Sequence, residues 1–350
     1  MKIMIVGAWS WPQYEEAFAN GLCEHGVEVV ALPTTPSFKC LLGHLQYTLP
    51  LPGPALFRLN HKVISEAVQH RPEFILFWRS THIIPSTLIN LQGMGIRSVS
   101  YNNDDPFGPK SHGYAPWHHH LLWYWYLKCL PWFDRNFFYR RINCAEAIAH
   151  GAQHADVLMP YFMPWKDRPV SLTKAEHDRY NTDMVFVGHY EPDGREHSIR
   201  ALMAAGIQTK IWGGHYWSRA VLGDLYDRLA PIVLVEGDDY AKALCGAKVC
   251  LCFLSKLNRD TYTRRCFEIP ACGRVMMAER TDDLLRLFKE DKEACFFSSN
   301  EELVKKTQWL LANPEIRKRI ADAGLRRVWA DGHDVMNRTR SFINGIEKLV

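Results

Sequence analysis

Short apolar runs alternate along this chain with segments in which apolar residues recur every three to four positions. Residues 2–6 form such a run, a turn follows at Gly7, residues 13–25 carry helical spacing, and residues 27–32 form the next apolar run. A short apolar run that ends at a turn residue is typical of a buried strand in a parallel sheet. The three segments therefore predict a β-α-β unit with a right-handed crossover.

The same alternation continues to residue 159 and restarts at residue 184. Repeated β and α elements indicate doubly wound α/β domains, and 350 residues exceed what one core usually holds. We therefore predict an α/β protein with two Rossmann-like, doubly wound domains that face each other across a cleft. Further strands are predicted at residues 74–78, 97–101, 136–139, 157–159, 184–189, 209–212, 249–254 and 275–278, and helices at 63–70, 84–94, 197–205, 240–245, 263–272, 301–312, 314–323 and 336–349.

Residues 160–183 interrupt this alternation with three prolines and many charges. We predict an N-terminal domain at residues 1–165, a linker at 166–183, a C-terminal domain at 184–335, and a last helix at 336–350 that can pack back on the N-terminal domain. Ligands of open parallel sheets bind at the carboxyl ends of the strands. The functional site is therefore expected in the cleft between the domains.

Composition excludes several classes of function. The formal charge of +4 is too small for a nucleic-acid-binding protein. The first apolar run is too short for a signal peptide, and no apolar run approaches the roughly 20 residues that span a bilayer. Ten cysteines in such a chain indicate reduced thiols in a cytoplasmic protein. Cys250 and Cys252 lie in an apolar strand pattern, so a buried structural role is favoured over zinc binding.

The most informative stretch, residues 258–273, follows the predicted strand at 249–254 and leads into a helix. Its position at the carboxyl edge of the sheet predicts an anion site, because a helix N-terminus offers unpaired N–H groups there. A diphosphate suits the site because each guanidinium can bind two oxygens. Glu268 would accept hydrogen bonds from an adjacent ribose. The cations at this edge are Lys256, Arg259, Arg264 and Arg265.

A purely structural interpretation of the same stretch stays open. Glu268 stands four positions after Arg264, and such a pair is commonly a surface ion pair of one helix. The arginines would then form a solvated face.

The segment EIPACG, which begins at Glu268, resembles the E-A-x-A-C-G segment of group 1 glycosyltransferases. Residues 265–297 resemble the branch of that family related to the spore-maturation protein CgeB. The resemblance implies the GT-B fold, a nucleoside diphosphate sugar held mainly by the C-terminal domain, no metal or other cofactor, and retention of anomeric configuration. The N-terminal domain would then be the acceptor side.

The family's usual motif is E-x7-E, and its second glutamate binds the nucleotide ribose, the role implied here for Glu268. The first acidic residue contacts the transferred sugar, and this chain has Asp260 in that place. The shorter side chain would weaken that contact or mark a different sugar. Thr263, between the two, joins the predicted donor-binding residues.

Two further turns are predicted to contact the donor. Gly188, His189 and Arg195 follow the first strand of the second domain, where a glycine permits close approach to a phosphate and an arginine would neutralise it. Gly213 follows the next strand, in the region where GT-B enzymes usually contact the base. Glycine after a strand is also common for steric reasons alone.

In the first domain, Asp104 and Asp105 follow the predicted strand at 97–101. Two carboxylates there can accept the proton of an acceptor hydroxyl or bind sugar hydroxyls, so with Asp260 they are the predicted catalytic residues. The alternative is an Asx-turn, since Asn-Asn-Asp-Asp-Pro is strong turn chemistry. Gly7 and Ser10 are weaker candidates for contacts with the donor phosphates or the acceptor.

Residues 117–128 combine three consecutive histidines with four aromatic residues and a lysine after Trp117. Consecutive histidines do not share a helix face, so metal binding is disfavoured. Aromatic residues beside His and Lys are typical of a membrane interface. An aromatic helix packed on its own domain, or lining the acceptor pocket, is the favoured alternative.

The sequence thus predicts a cytoplasmic glycosyltransferase that moves a sugar from a nucleoside diphosphate sugar to a hydroxyl of a glycan, a lipid-linked glycan or another cell-surface precursor. If residues 117–128 lie at a membrane interface, the protein is expected to contact the inner face of the membrane peripherally. Two rivals stay open: a GT-B nucleotide-sugar epimerase, and a non-catalytic sugar-nucleotide-binding protein.

Overall fold

A computed structural model of the chain describes residues 1–39, 41–108 and 121–349. The chain divides into two compact units: Met1–Pro160 together with the chain from Val335 onward, and Tyr161–Asp334. We call them the first and the second unit. None of the described helices combines the length and apolar character needed to cross a membrane.

The first unit is built on a six-stranded sheet of order β2-β1-β3-β4-β5-β6, in which every neighbouring pair is parallel. Apolar strand residues such as Ile75 and Phe77 pack with Leu59 and Val63 of a covering helix. The strands are β1 (Lys2–Gly7), β2 (Glu28–Pro33), β3 (Phe74–Trp78), β4 (Arg97–Asn102), β5 (Arg135–Phe138) and β6 (Ala155–Val157), and the helices are α1 (Ala17–Glu24), α2 (Leu41–Thr48), α3 (Pro54–His70), α4 (Pro85–Gly93), α5 (Tyr124–Cys129) and α6 (Arg141–Ala149).

The second unit has a five-stranded parallel sheet of order β11-β10-β9-β7-β8. Met184 and Leu251 of the central strands pack with Ile199 and Leu303 of the covering helices. The strands are β7 (Thr182–Val187), β8 (Thr209–Trp212), β9 (Ala247–Cys252), β10 (Val275–Glu279) and β11 (Cys295–Phe297), and the helices are α7 (Lys174–Tyr180), α8 (Arg195–Ala204), α9 (Arg219–Leu222), α10 (Tyr226–Leu229), α11 (Asp238–Cys245), α12 (Arg265–Ala271), α13 (Asp282–Leu287), α14 (Asn300–Ala312) and α15 (Pro314–Ala330).

Two parallel sheets with helices in their crossovers confirm the predicted α/β fold class. Successive parallel strands need a crossover connection, and the alternation of apolar runs with helical spacing supplies one after nearly every strand. The carboxyl ends of the strands in each sheet therefore point to one edge, where the loops discussed below lie.

Residues 166–183, predicted to be a linker, fold as part of the second unit. Thr173 starts α7 with a capping box, in which its hydroxyl accepts a bond from the Glu176 N–H and its own N–H donates to the Glu176 carboxylate. Tyr180 is buried and lies with its ring centroid 5.4 Å from that of Trp212. Pro169 and the charges of this stretch therefore belong to a packed segment.

The last helix, α16 (Val335–Glu347), packs on α1 of the first unit. Phe342 is fully buried, with its ring 5.3 Å from Phe18 and 5.2 Å from Phe137. A Cβ on Gly21 would lie 2.9 Å from the Thr339 side chain, so the absence of a side chain at Gly21 permits the close approach of the two helices.

Candidate functional site

Loops after three adjacent strands of the second unit bring many of the predicted donor-site residues to one edge. β9, β7 and β8 are neighbours in the sheet. Gly188 follows β7, Gly213 follows β8, and the stretch that begins at Ser255 follows β9. Their common position is the carboxyl edge, where open α/β sheets bind ligands.

Gly188 and Gly213 are in direct backbone contact. The Gly188 N–H donates to the Trp212 carbonyl at 2.9 Å, and the Trp217 indole N–H donates to the Gly188 carbonyl at 2.8 Å. A Cβ on Gly213 would lie 2.1 Å from that carbonyl oxygen, which no side chain could tolerate. Steric necessity therefore explains Gly213, and its predicted contact with a base stays a prediction.

Arg265 lies directly beside Gly188. A Cβ on Gly188 would be 3.1 Å from the Arg265 Nη1 atom, and the guanidinium lies 5.5 Å from the Phe186 ring centroid. Its Nε is buried and has no hydrogen-bond partner among the described residues. A buried donor without a partner is costly, so an anionic ligand that accepts this bond would be stabilised here.

Hydrogen bonds join the loop after β7 to the loop after β9. The Ser255 hydroxyl donates to Glu191 Oε2 at 2.7 Å, and Lys256 Nζ donates to the Asp193 carbonyl at 2.7 Å. Burial raises the pKa of Glu191, but the His189 bond and the Arg195 charge oppose it more strongly and lower that pKa to about 2. The Glu191 carboxylate is therefore ionised and holds both loops in place.

Arg195 is buried inside the turn after β7. It donates from Nε and Nη2 to the two oxygens of Asp193 at 2.8 and 2.5 Å, and from Nη1 to the His189 carbonyl at 2.8 Å. Its side chain is only 1% exposed. These contacts give Arg195 a structural role in shaping the turn, while a direct contact with phosphate stays a prediction.

Lys256 and His189 are the exposed members of the cluster. Lys256 keeps two N–H donors beyond its bond to the Asp193 carbonyl. The His189 side chain is 59% exposed, with Nε2 3.2 Å from Glu191 Oε1. Both side chains can therefore reach a ligand from solvent.

Residues 255–263 form a tight turn ahead of α12. The Asp260 N–H donates to the Ser255 carbonyl at 2.9 Å, and Arg259 adopts a positive φ of 49°. The Thr263 N–H donates to the Cys266 thiol at 3.5 Å. These contacts fix the backbone of the turn; the sugar contact of Asp260 and the donor contacts of Arg259 and Thr263 stay predictions.

Glu268 is buried in α12, with both oxygens engaged. Oε1 accepts from Arg264 Nε at 2.9 Å and from Arg264 Nη2, and Oε2 accepts from the Tyr240 hydroxyl at 2.6 Å. Burial raises the pKa of Glu268, but the charges of Arg264 and Lys166 and the Tyr240 bond outweigh burial, so the net pKa is lowered. An ionised carboxylate has about four acceptor positions, which leaves one on Oε2 for a ligand hydroxyl.

Arg264 and Glu268 form the ion pair that the purely structural interpretation of the sequence predicts. The pair is buried, however, and does not lie on the surface. Arg264 also lies 5.5 Å from the Tyr161 ring centroid. Its guanidinium orients Glu268, whereas the buried Nε of the neighbouring Arg265 has no partner among the described residues.

Asp167 is a buried carboxylate beside this pair that is not among the residues predicted from the sequence. Its Oδ2 accepts the Met163 N–H at 2.7 Å, and Oδ1 has no partner among the described residues. Burial, followed by the charge of Glu268, raises the pKa of Asp167 to about 7. No sequence pattern marks it, since its neighbours Glu268 and Arg264 lie about 100 positions away in the sequence.

In the first unit, Asp104 and Asp105 have different surroundings. Asp104 pairs with Arg79, and its N–H donates to Asn102 Oδ1 at 3.1 Å. Asp105 is buried, and its Oδ1 accepts from the Phe107 N–H at 3.0 Å and from Asn143 Nδ2 at 2.8 Å. The contacts of Asp105 are those of an Asx-turn, so Asp104 is the better candidate for a substrate contact.

A cavity of about 300 Å³ lies at the carboxyl edge of the first sheet, with Ser10 and Asp104 in its lining. Gly7 packs beneath it, because a Cβ there would lie 2.4 Å from Glu15 Oε1. Glu15 is buried and accepts the Ala8 N–H at 2.8 Å. Burial raises the pKa of Glu15 despite three backbone hydrogen bonds and the Arg79 charge, which lower it.

Residues 117–120, including the three histidines, lie outside the described residues, and the rest of that segment leads into α5. Tyr126 is buried, and the Trp125 indole donates to the Pro50 carbonyl at 2.7 Å. Tyr124 is 45% exposed, with Lys128 Nζ 4.5 Å from its ring centroid. Part of α5 therefore packs on its own unit.

Within the described residues, no group of three or more His, Cys, Asp or Glu side chains could hold a metal ion.

Part of the chain resembles a known protein family. Residues 195–344 match the family described as "Glycosyl transferase-like". This range begins at Arg195 and includes the β9 loop, Arg265 and Glu268. No curated protein matches the chain significantly.

Solved structures resemble the whole chain at low identity. Anabaena Alr3699/HepE in complex with UDP-glucose is 12% identical over 99% of this chain and 100% of its own, with a TM-score of 0.66. Sucrose-phosphate synthase from Thermosynechococcus elongatus is 12% identical over 100% and 99%, with a TM-score of 0.70. A trehalose-6-phosphate synthase, studied for glycosyl transfer with retention, is 12% identical over 100% of both chains, with a TM-score of 0.66.

The chain therefore has the GT-B fold of these structures, and residues 195–344 carry a glycosyltransferase-like domain. The glycosyltransferase-like match of residues 195–344 agrees with the activity that the sequence predicts. The chain's proposed membership of the CgeB-related branch remains a prediction.

Proposed function

We propose that the chain transfers a sugar from a nucleoside diphosphate sugar to a hydroxyl of a glycan, a lipid-linked glycan or another cell-surface precursor. The donor would bind at the carboxyl edge of the second sheet, with its diphosphate at Arg265, Lys256 and Gly188 and its ribose at Glu268. One observation carries this proposal. The Arg265 side chain lies beside Gly188, and its buried Nε has no partner among the described residues. That UDP and UDP-glucose are bound by Alr3699/HepE supports this class of donor.

The chemistry follows from where charge develops. Cleavage of the bond between sugar and diphosphate leaves negative charge on the leaving group, and pre-oriented cations stabilise it most strongly where water is excluded. Arg265 is half-buried and Lys256 lies at the rim, so both can neutralise that charge. We propose on this basis that transfer is metal-independent. We also propose that it proceeds with retention, which the resemblance to group 1 glycosyltransferases implies, with Asp260 at the transferred sugar and Asp104 at the acceptor.

Glu268→Gln tests the donor site while keeping the side-chain volume. We expect affinity for the preferred nucleoside diphosphate to fall about 10-fold to 100-fold, because a hydrogen bond to a charged group contributes about 1.5–3 kcal/mol. The preferred base is first found by thermal shift with UDP, GDP and ADP. Isothermal titration calorimetry then measures the affinity of the ribonucleotide and of its 2′,3′-dideoxy analogue for the unaltered protein and for the variant. The substitution should change the affinity of the analogue little, because the analogue lacks the hydroxyls that Glu268 would bind.

Glu302→Gln is the matched control, since Glu302 makes a comparable pair with Arg280 elsewhere in the second unit. If Glu268→Gln and Glu302→Gln both leave the affinity unchanged, Glu268 does not bind the ribose.

A turnover assay separates the proposed function from its rivals. A transferase consumes nucleotide sugar only with an acceptor and retains activity in EDTA. Turnover without acceptor would identify an epimerase, and binding without turnover a non-catalytic protein.

A further inference from the structure

The cavity of the first unit has the lining of a site for an uncharged polar ring. Its volume of about 300 Å³ lies at the lower end of the range for small-molecule sites, which suits one sugar ring rather than several. The surrounding side chains mix aromatic rings with a few polar groups, the usual composition of such sites. They include Trp11, Tyr14, Tyr47, Arg79, Ser80, His82, Asn103 and Asp104.

The described lining residues carry no net positive charge. Arg79 pairs with Asp104, so its positive charge is already compensated. His82 is buried between the Thr81 hydroxyl at 2.8 Å and the Tyr47 carbonyl at 2.9 Å. Burial lowers the pKa of His82 to about 4, which makes the ring neutral near pH 7. With Glu15 as the remaining carboxyl, this lining offers no excess positive charge to a phosphate.

Two polar atoms in the lining have no partner among the described residues. Ser80 is 7% exposed and its hydroxyl oxygen is unpaired, and Asn103 Oδ1 is likewise buried and unpaired. Buried polar atoms without partners are rare in native proteins. A ligand rich in hydroxyl groups would satisfy both, because a hydroxyl both donates and accepts.

The aromatic side chains supply the complementary apolar surface. Trp11 is 50% exposed and Tyr47 is 38% exposed at the cavity. Tyr47 is held in place by stacking on His82, with ring centroids 5.0 Å apart and planes 6° apart. An exposed, fixed ring beside unpaired polar atoms matches a sugar, whose C–H face is apolar and whose edge carries hydroxyls.

We propose that this cavity binds the acceptor and that the acceptor presents an uncharged sugar ring there rather than a phosphorylated one. That the bound molecule is an acceptor rests on the proposed transferase function, whereas the preference for an uncharged ring rests on the cavity alone. Ser80 and Asn103 would bind hydroxyls, and Trp11 would pack on the ring face.

The test uses methyl glycosides of glucose, galactose, mannose and N-acetylglucosamine, each paired with its 6-phosphate. Saturation-transfer NMR and competition titrations at millimolar concentration, with nucleoside diphosphate present, give relative affinities. We expect at least one methyl glycoside to bind more tightly than its phosphate. Trp11→Ala should weaken that binding by about twofold to tenfold, whereas Trp132→Ala, which removes a similarly exposed ring (41%) outside the cavity lining, should not.

Asp104→Asn probes the charge balance. It removes the carboxylate that pairs directly with Arg79, so the preference should shift toward the 6-phosphates by about tenfold or more, whereas Asp134→Asn, at the pair with Arg97, should not shift it. Tighter binding of the phosphates to the unaltered protein, equal effects of the two tryptophan variants, or nucleotide binding without any sugar binding would each overturn the inference. The last outcome would leave the donor site intact, whereas a protein that binds no nucleotide would instead contradict the proposed function.

Discussion

Glu268 and Asp167 lie close together in the second unit but carry opposite pKa shifts. The Arg264 and Lys166 charges outweigh burial at Glu268 and lower its pKa, whereas burial and the Glu268 charge raise the pKa of Asp167 to about 7. Neither environment follows from the residue type. The carboxylate that is ionised at neutral pH is the one suited to accept ribose hydroxyls.

Asp167→Asn should make the free energy of unfolding less dependent on pH. The folded pKa of Asp167 is about 7 against an ordinary value of 3.8, so between these values the folded state holds a proton that the unfolded state has lost. The stability of the unaltered protein therefore falls as pH rises from about 4 to about 7. We expect Asn to remove this slope and to stabilise the protein at pH 8 by up to about 4 kcal/mol.

Urea denaturation at a series of pH values measures the effect. Asp178→Asn, an exposed position of α7, is the control and should change stability by less than about 0.5 kcal/mol. Identical slopes for the Asp167→Asn variant and the unaltered protein would contradict the assigned environment.

At the scale of elements, the turn between β7 and α8 is built around one buried arginine. Arg195 bonds both oxygens of Asp193 and the His189 carbonyl, and Glu191 of the same turn reaches Ser255 in the loop after β9. The turn is therefore a rigid support for Gly188 and Arg265. A glycine after a strand suggests such a turn from the sequence, but the charge network that holds it is a tertiary feature.

Arg195→Met should destabilise the protein by about 3–5 kcal/mol, because it leaves the Asp193 carboxylate buried and unpaired. The control is Arg200, which lies in the same helix as Arg195 and forms an exposed ion pair with Asp224. Arg200→Met removes this pair and should cost less than about 1 kcal/mol. Chemical denaturation followed by circular dichroism compares the two variants. Equal losses would show that the buried network contributes no more than a surface pair.

For the whole molecule, the chain returns to its first unit at the end. α16 follows the second unit in sequence but packs on α1, and Phe342 fills a space between Phe18 and Phe137. The first unit is therefore built from two segments, residues 1–160 and the chain from Val335 onward, that lie on either side of the second unit in the sequence. Its stability depends on side chains more than 300 positions apart in the sequence, such as Phe18 and Phe342.

Phe342→Ala should lower the stability of the first unit by about 3–5 kcal/mol, because it removes a fully buried ring. Ser341→Ala, at an exposed position of the same helix, is the control and should have little effect. Hydrogen exchange read by mass spectrometry reports each unit separately. We expect faster exchange in β1, β3 and β4, and an equal increase throughout Tyr161–Asp334 would contradict the assignment of α16 to the first unit.

The sequence by itself determined the α/β class and most of its elements, since the apolar period of each strand and helix is a local property. β3 and β8 occur as predicted, whereas β11, with three residues, is too short to show a period. The sequence also placed the basic stretch and Glu268 at a strand's carboxyl end.

Tertiary structure alone decided which groups meet. It paired Glu268 with Arg264 and Tyr240, enclosed Arg195, raised the pKa of Asp167, folded residues 166–183 into the second unit and returned α16 to the first. Each of these depends on side chains brought together from distant positions, and the burial and charge that result are properties of the assembled fold rather than of any local pattern.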